Sequence, residues 1–122
     1  KFMRDPTRGG VATVLNEVAQ AANLGVIIEE KKIPIAEKVR AAAELLGIDP
    51  LYVANEGKAL LVVKAKEAQK IKSFLRKHPF GRRAEIIGEI VKSPRQRLVL
   101  RTAFNTERIL DMLTAEPLPR IC

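Results

Sequence analysis

Val11, Val14, Leu15, Val18 and Ala22 recur at three- and four-residue intervals, the period of one face of an α-helix. The spacing predicts a helix over 6–22. Asp5 is its expected N-cap, and Pro6 takes the first helical position, where a missing N–H costs nothing. Asn23 and Gly25 supply the stop. Residues 26–29 read as a short strand. Pro34 opens a second helix over 35–46, in which Val39, Ala42, Ala43 and Leu46 form the apolar face and Gly47 ends it. A third helix is predicted over 67–77, with Ile71, Phe74 and Leu75 facing inward and the lysines outward.

The remaining apolar segments are shorter and closer to strand patterning. Residues 51–54 and 58–64 read as two strands of a hairpin joined by Asn55-Glu56-Gly57, a short glycine-bearing connection between apolar runs. Residues 83–91 and 97–103 are strand-like and separated by a turn at Ser93-Pro94-Arg95. Residues 106–113 fit either a strand or a helix. Two prolines in Glu116-Pro117-Leu118-Pro119-Arg120-Ile121-Cys122 exclude a helix interior there. Helices and hairpin strands in this order indicate an α+β domain with a mainly antiparallel sheet covered by helices. The domain is expected to occupy 1–115, with 116–122 as a flexible tail.

Composition narrows the class. At 122 residues, with 47% apolar and 30% charged positions, the chain suits one globular domain with a real core. The longest apolar runs, 59–63 and 25–28, are strand-length, and the N-terminal residues carry no signal-peptide core, so a cytoplasmic setting and no membrane partner are expected. The single cysteine excludes an internal disulfide. A net charge of +8 permits acidic partners, nucleic acid or phosphate-bearing ligands. Aromatics are only 4%, with one Tyr and no Trp, which leaves few stacking platforms for single strands. The basic runs at 70–83 and 92–101 read as solvated faces, and no nucleic-acid partner is expected. The first residue is not methionine and a motif begins within five residues, so the chain is expected to be a piece of a longer polypeptide.

Three places could carry chemistry. In Asp5-Pro6-Thr7-Arg8-Gly9-Gly10, two glycines at the start of a helix each cost about 1 kcal/mol relative to alanine, so something must want the bare backbone. Free N–H groups beside a carboxylate, a hydroxyl and an arginine suit phosphate and a divalent cation; equally, the glycines could let a neighbour pack closely. Glu56, at a loop tip, could hold a carboxylate over a cleft as a general base, or be a polar turn residue. Cys122 offers the strongest nucleophile among ordinary side chains at the end of a proline-stiffened segment, or is an incidental exposed thiol.

MRDPTRGG at 3–10, VATVLNEVA behind it, ANEGK at 54–58 and the terminal PLPRIC together resemble the C-terminal domain of the HypE family of hydrogenase maturation proteins. That family falls among the AIR synthetase-like (PurM-like) ATP-dependent enzymes. The resemblance implies that a partner, HypF, loads a carbamoyl group onto Cys122. ATP then phosphorylates the carboxamide oxygen, and loss of phosphate leaves a thiocyanate. Its cyanide passes to iron in the HypC–HypD complex, for the nickel–iron hydrogenase site. Carried over by motif, Cys122 is the carrier and Glu56 the base. Asp5 helps to hold the Mg2+ of Mg-ATP, and Thr7 and Arg8 lie by the triphosphate. Asn105 stands where family members commonly have glycine, and asparagine tolerates a left-handed backbone, so a turn is expected to survive. The family's N-terminal ATP-binding domain is not represented. The isolated chain is therefore expected to be inactive and monomeric, and the full-length protein a homodimer. The contrasting readings are a basic nucleic-acid-binding module and a docking domain without catalysis.

Overall fold

The computed structural model describes residues 1–112. The tail expected at 116–122, with Cys122, lies outside them. Helix α1 spans Gly10–Ala22 rather than 6–22, because Gly9 (φ 66°) and Gly10 (φ 68°) are left-handed and no right-handed helix passes through them. Gly9 is the N-cap, which corrects the assignment of Asp5 to that role. At the other end Asn23 (φ 55°) closes the helix, and the Leu24 N–H reaches the Ala19 carbonyl at 3.1 Å.

Strands β1 (Phe2–Arg4) and β3 (Leu60–Val62) form an antiparallel pair, with Met3 opposite Leu61. The predicted hairpin about 55–57 is thereby overturned. Residues Pro50–Tyr52 form a 3-10 turn rather than a strand, capped by the Asp49 carboxylate accepting from the Leu51 N–H at 2.9 Å. The strand after the loop pairs with the N-terminus instead.

The main sheet has the order β4-β2-β5-β6, from β2 (Gly25–Glu29), β4 (Gly88–Val91), β5 (Leu98–Arg101) and β6 (Glu107–Ile109). Its centre, β2 with β5, is parallel, and the flanking pairs are antiparallel, so the sheet is mixed. Residues 106–113, open between two readings, contribute β6. Asn105 (φ 61°) makes the turn before it, and the Thr102 N–H reaches the Thr106 carbonyl at 2.8 Å. The β5 residues Leu98, Val99 and Leu100 are all buried, as in a strand covered on both faces. Ala12, Leu15 and Ala19 of α1 join Val26, Ile28, Leu98, Leu100, Leu51 and Leu110 in one core.

Helices α2 (Glu37–Leu46) and α3 (Ala65–Arg76) form where expected, but their burial does not follow the predicted stripes. In α2 only Ala43 is buried, while Val39 and Leu46 stand 53% and 71% exposed. In α3 no residue is buried: of its predicted inward face Ile71 and Leu75 are half-buried and Phe74 is exposed. Lys72 and Arg76 of α3 grip Glu85 at 2.6 and 2.9 Å, tying the helix to the segment that leads into β4.

Candidate functional site

The glycine-bearing loop 5–10 is held from two sides. The Arg4 guanidinium pairs with Glu17 and so ties β1 to α1 across the loop. A Cβ on Gly10 would lie 2.7 Å from the Val53 carbonyl oxygen, so α1 approaches the 50–53 backbone as only glycine allows. Close packing, one of the two readings of these glycines, therefore holds for Gly10. A Cβ on Gly9 would lie 2.7 Å from the Thr13 Cβ, and the buried Thr13 hydroxyl has no hydrogen-bond partner among the described residues. The helix opens without a capping side chain and without an acidic residue in its first turn. Its first N–H groups lack an intrahelical acceptor, and they stand beside an orphaned hydroxyl.

Glu56 reaches this loop by a backbone tie. The Asn55 N–H donates to the Pro6 carbonyl at 2.9 Å, and Pro6 is fully buried beneath the loop. The motifs 5–10 and 55–57, some 45 positions apart, thus meet through adjacent residues. Asp5, Arg8 and Glu56 are exposed and Thr7 is half-buried, so the junction offers its polar groups to solvent. Gly57 (φ 72°) lets the chain turn directly after Glu56. Among the described residues no three of His, Cys, Asp and Glu gather as a metal site, so Asp5 could contribute one ligand and no more. A cavity of ≈ 320 Å³ lies elsewhere, between α2 and β5, lined by Ile33, Ala43, Ile48, Leu100 and Arg108. Among the described residues, none of the predicted site residues lines it.

Three side chains near this junction escaped the sequence reading. Thr13 was hidden inside an apolar stripe, although a hydroxyl one turn after two glycines was a usable signal. The other two act at the exit of β6: the buried Asn16 amide donates to the Leu110 carbonyl at 2.8 Å, and the Tyr52 hydroxyl to the Asp111 carbonyl at 2.6 Å. Burial first, then the carboxylates of Asp49 and Asp111, raise the Tyr52 pKa above its ordinary 10.0, partly offset by Arg108. The phenol therefore stays a donor at any physiological pH. Nothing local in the sequence marks either contact.

A mixed sheet with α1 across it, and a glycine-bearing loop joined to a carboxylate loop at one end, define a domain of the AIR synthase class. Residues 1–101 match the family described as AIR synthase related protein, C-terminal domain, and the chain belongs to that family. Within it, the chain is similar to the carbamoyl dehydratase HypE of Cupriavidus necator. The two are 47% identical over 122 residues, which is 100% of this chain and 35% of the relative. Among solved structures it is similar to a hydrogenase maturation protein HypE in complex with ATP. The TM-score is 0.90 at 39% identity, covering 98% of this chain and 37% of the other. It is also similar to a chain of a HypE–HypF complex, with TM-score 0.87 and 43% identity, covering 93% and 36%. The chain thus spans 35% to 37% of the length of these proteins.

Proposed function

We propose that this chain is the C-terminal domain of a HypE-type carbamoyl dehydratase, acting within a longer protein on a carbamoyl group carried by Cys122. One observation carries the reading: the glycine loop 5–10 and the Glu56 loop, distant in sequence, are joined by the Asn55–Pro6 hydrogen bond. The left-handed Gly9 and the uncapped start of α1, whose first N–H groups lack an intrahelical acceptor, fit a phosphate group. Thr7 and Arg8 would flank it, and Asp5 would supply one oxygen to its Mg2+. When bound, ATP supplies the phosphoryl group that turns the carboxamide oxygen into a leaving group.

The chain's own residues do the rest. Cys122 holds the carbamoyl carbon through sulfur, and Glu56 accepts protons from the carboxamide nitrogen. Removal of one oxygen and two protons, the elements of water, converts S–C(=O)–NH2 to S–C≡N. The similar HypE–HypF complex supports HypF as the protein that loads the tail. The resemblance assigns delivery of cyanide to a HypC–HypD complex, for a nickel–iron hydrogenase, in the cytoplasm. The described residues contain no helix long and apolar enough to cross a membrane. Full-length protein is read as a homodimer, and the present chain as an inactive monomer.

Intact-protein mass spectrometry of the full-length protein tests this reading. Cys122→Ala accepts no carbamoyl group. Glu56→Gln loads normally but loses water about 10²- to 10⁴-fold more slowly, the usual range for a missing general base. Dehydration by Glu56→Gln at the parental rate returns Glu56 to a turn residue, and loading of Cys122→Ala removes the carrier role.

A further inference from the structure

Positive charge is concentrated in one segment of the chain. Residues 64–83 hold eight Lys and Arg against the single carboxylate of Glu67, a net +7, whereas the other 102 residues set 14 basic groups against 13 acidic ones. This segment builds α3 and the 3-10 turn after it, Pro79–Gly81. The inward side of α3 is occupied: Ile71 and Leu75 are half-buried, Lys72 and Arg76 are held by Glu85, and Glu67 faces Lys1 at 3.8 Å. Lys66, Lys70, Phe74 and Lys77, spaced four, four and three residues apart, share the outward side, and all are exposed. None of these three lysines forms an ion pair with a described residue. The ring of Phe74 stands 73% exposed. The turn folds back on the helix, since Gly81 leaves no room for a side chain against the Leu75 carbonyl, and it displays Phe80 at 96% exposure.

These charges work against the helix that carries them. Lys66 and Lys70 are like charges one turn apart, which destabilises a helix. Lys66 also stands at the positive end of the helix dipole, where a carboxylate would be favourable. An anionic group set against the stripe relieves both effects. We propose that the outward side of α3 and the turn 79–81 is a docking surface for a partner protein whose acidic surface surrounds an apolar pocket. Carboxylates meet Lys66, Lys70 and Lys77, and Phe74 enters the pocket. The lysines alone suit any polyanion; the phenylalanine selects among them. A nucleic-acid duplex offers phosphates to the lysines but nothing apolar to the Phe74 ring. A bilayer surface calls for a continuous apolar face, and the apolar side of α3, Ile71 and Leu75, is already turned toward the domain. A protein surface supplies both components, and an aromatic anchor in a pocket with a charged rim is a common form of such contacts. None of the residues assigned to catalysis takes part.

The test uses a fluorescein-labelled helical peptide with leucines along one face and glutamates beside them, and a scrambled peptide of the same composition. Anisotropy is read with the full-length protein and with the present chain. Both should bind the patterned peptide at least about fivefold more tightly than the scrambled one. Phe74→Ala should weaken binding about 5- to 30-fold, the usual loss at an interface anchor, and leave its salt dependence unchanged. Lys70→Glu should weaken it about two- to tenfold at low salt and progressively less as salt is raised. Both side chains are exposed, and unchanged far-UV circular dichroism confirms that the variants fold. No binding, equal binding of the two peptides, or indifference to Phe74→Ala overturns the proposal. Tighter, Lys70-dependent binding of a short DNA duplex, or of phosphatidylcholine–phosphatidylserine vesicles, assigns the charge to nucleic acid or membrane instead. Binding by the present chain but not by the full-length protein shows that the face is covered within its own polypeptide, which also overturns it.

Discussion

Helices α1 and α2 carry similar apolar stripes and meet opposite fates. In α1 the buried face runs through Ala12, Val14, Leu15 and Ala19, with Leu15 at 5% exposure, because the helix is covered by β2 and β5 on one side and by the 50–52 turn on another. Of the predicted stripe Val11 and Val18 are half-buried and Ala22 is exposed. In α2 the stripe finds little beyond that same turn, and Leu46 remains 71% exposed. An apolar stripe states what a helix could bury, and only a neighbour makes it bury anything. The inner region, which holds both candidate loops, is thus built on a close-packed helix, whereas the outer helices can change without disturbing it.

The sharpest way to break this contrast is to truncate matched leucines. Leu15→Ala should destabilise the chain by about 2–5 kcal/mol, the usual range for a buried leucine. Leu46→Ala should stay within about 0.5 kcal/mol, as for exposed positions. Urea unfolding followed by far-UV circular dichroism measures both, and similar losses would mean that α2 is packed in solution.

Two left-handed glycines give the next largest effect. Gly10→Ala meets both the conformational penalty and the Val53 carbonyl, and should lose about 2–4 kcal/mol. Gly47 (φ 67°) closes α2 with nothing within 4 Å of an added Cβ, so Gly47→Ala should lose only about 1 kcal/mol, the conformational part. Equal losses would remove the close approach of α1 to the 50–53 backbone from the account.

The smallest effect concerns the tie between α3 and the segment before β4. The hydrogen bond from Lys72 chiefly, with the nearby charges of Lys72 and Arg76, holds the Glu85 carboxyl below its ordinary 4.5. A lowered folded-state value means that this contribution is fully present above about pH 4.5 and is lost as the pH falls through the folded value. The pair is solvent-screened, so the change should be slight. Stability of Glu85→Gln measured between pH 6 and 3 should lack that part of the acid slope, and an unchanged slope would show that the tie carries no linkage.

Local patterning by itself determined the helices and most strands, since periodicity and stop residues act within a few positions of one another. It also marked 5–10 as a place needing bare backbone, which follows from the sterics of glycine, while the left-handed turn at Asn105 came from the resemblance, which places glycine there. Only the tertiary structure decided that β3 pairs with β1 and that β2 lies parallel to β5, because alternation says which face a strand buries but not which strand lies beside it. It also decided that Gly9, not Asp5, opens α1. The grip of Asn16 on Leu110 and of Tyr52 on Asp111 spans 94 and 59 positions, and each is a single hydrogen bond made possible by the folded core. Contacts of that kind leave no periodic trace in a sequence, because they depend on where two distant segments are brought by everything packed between them.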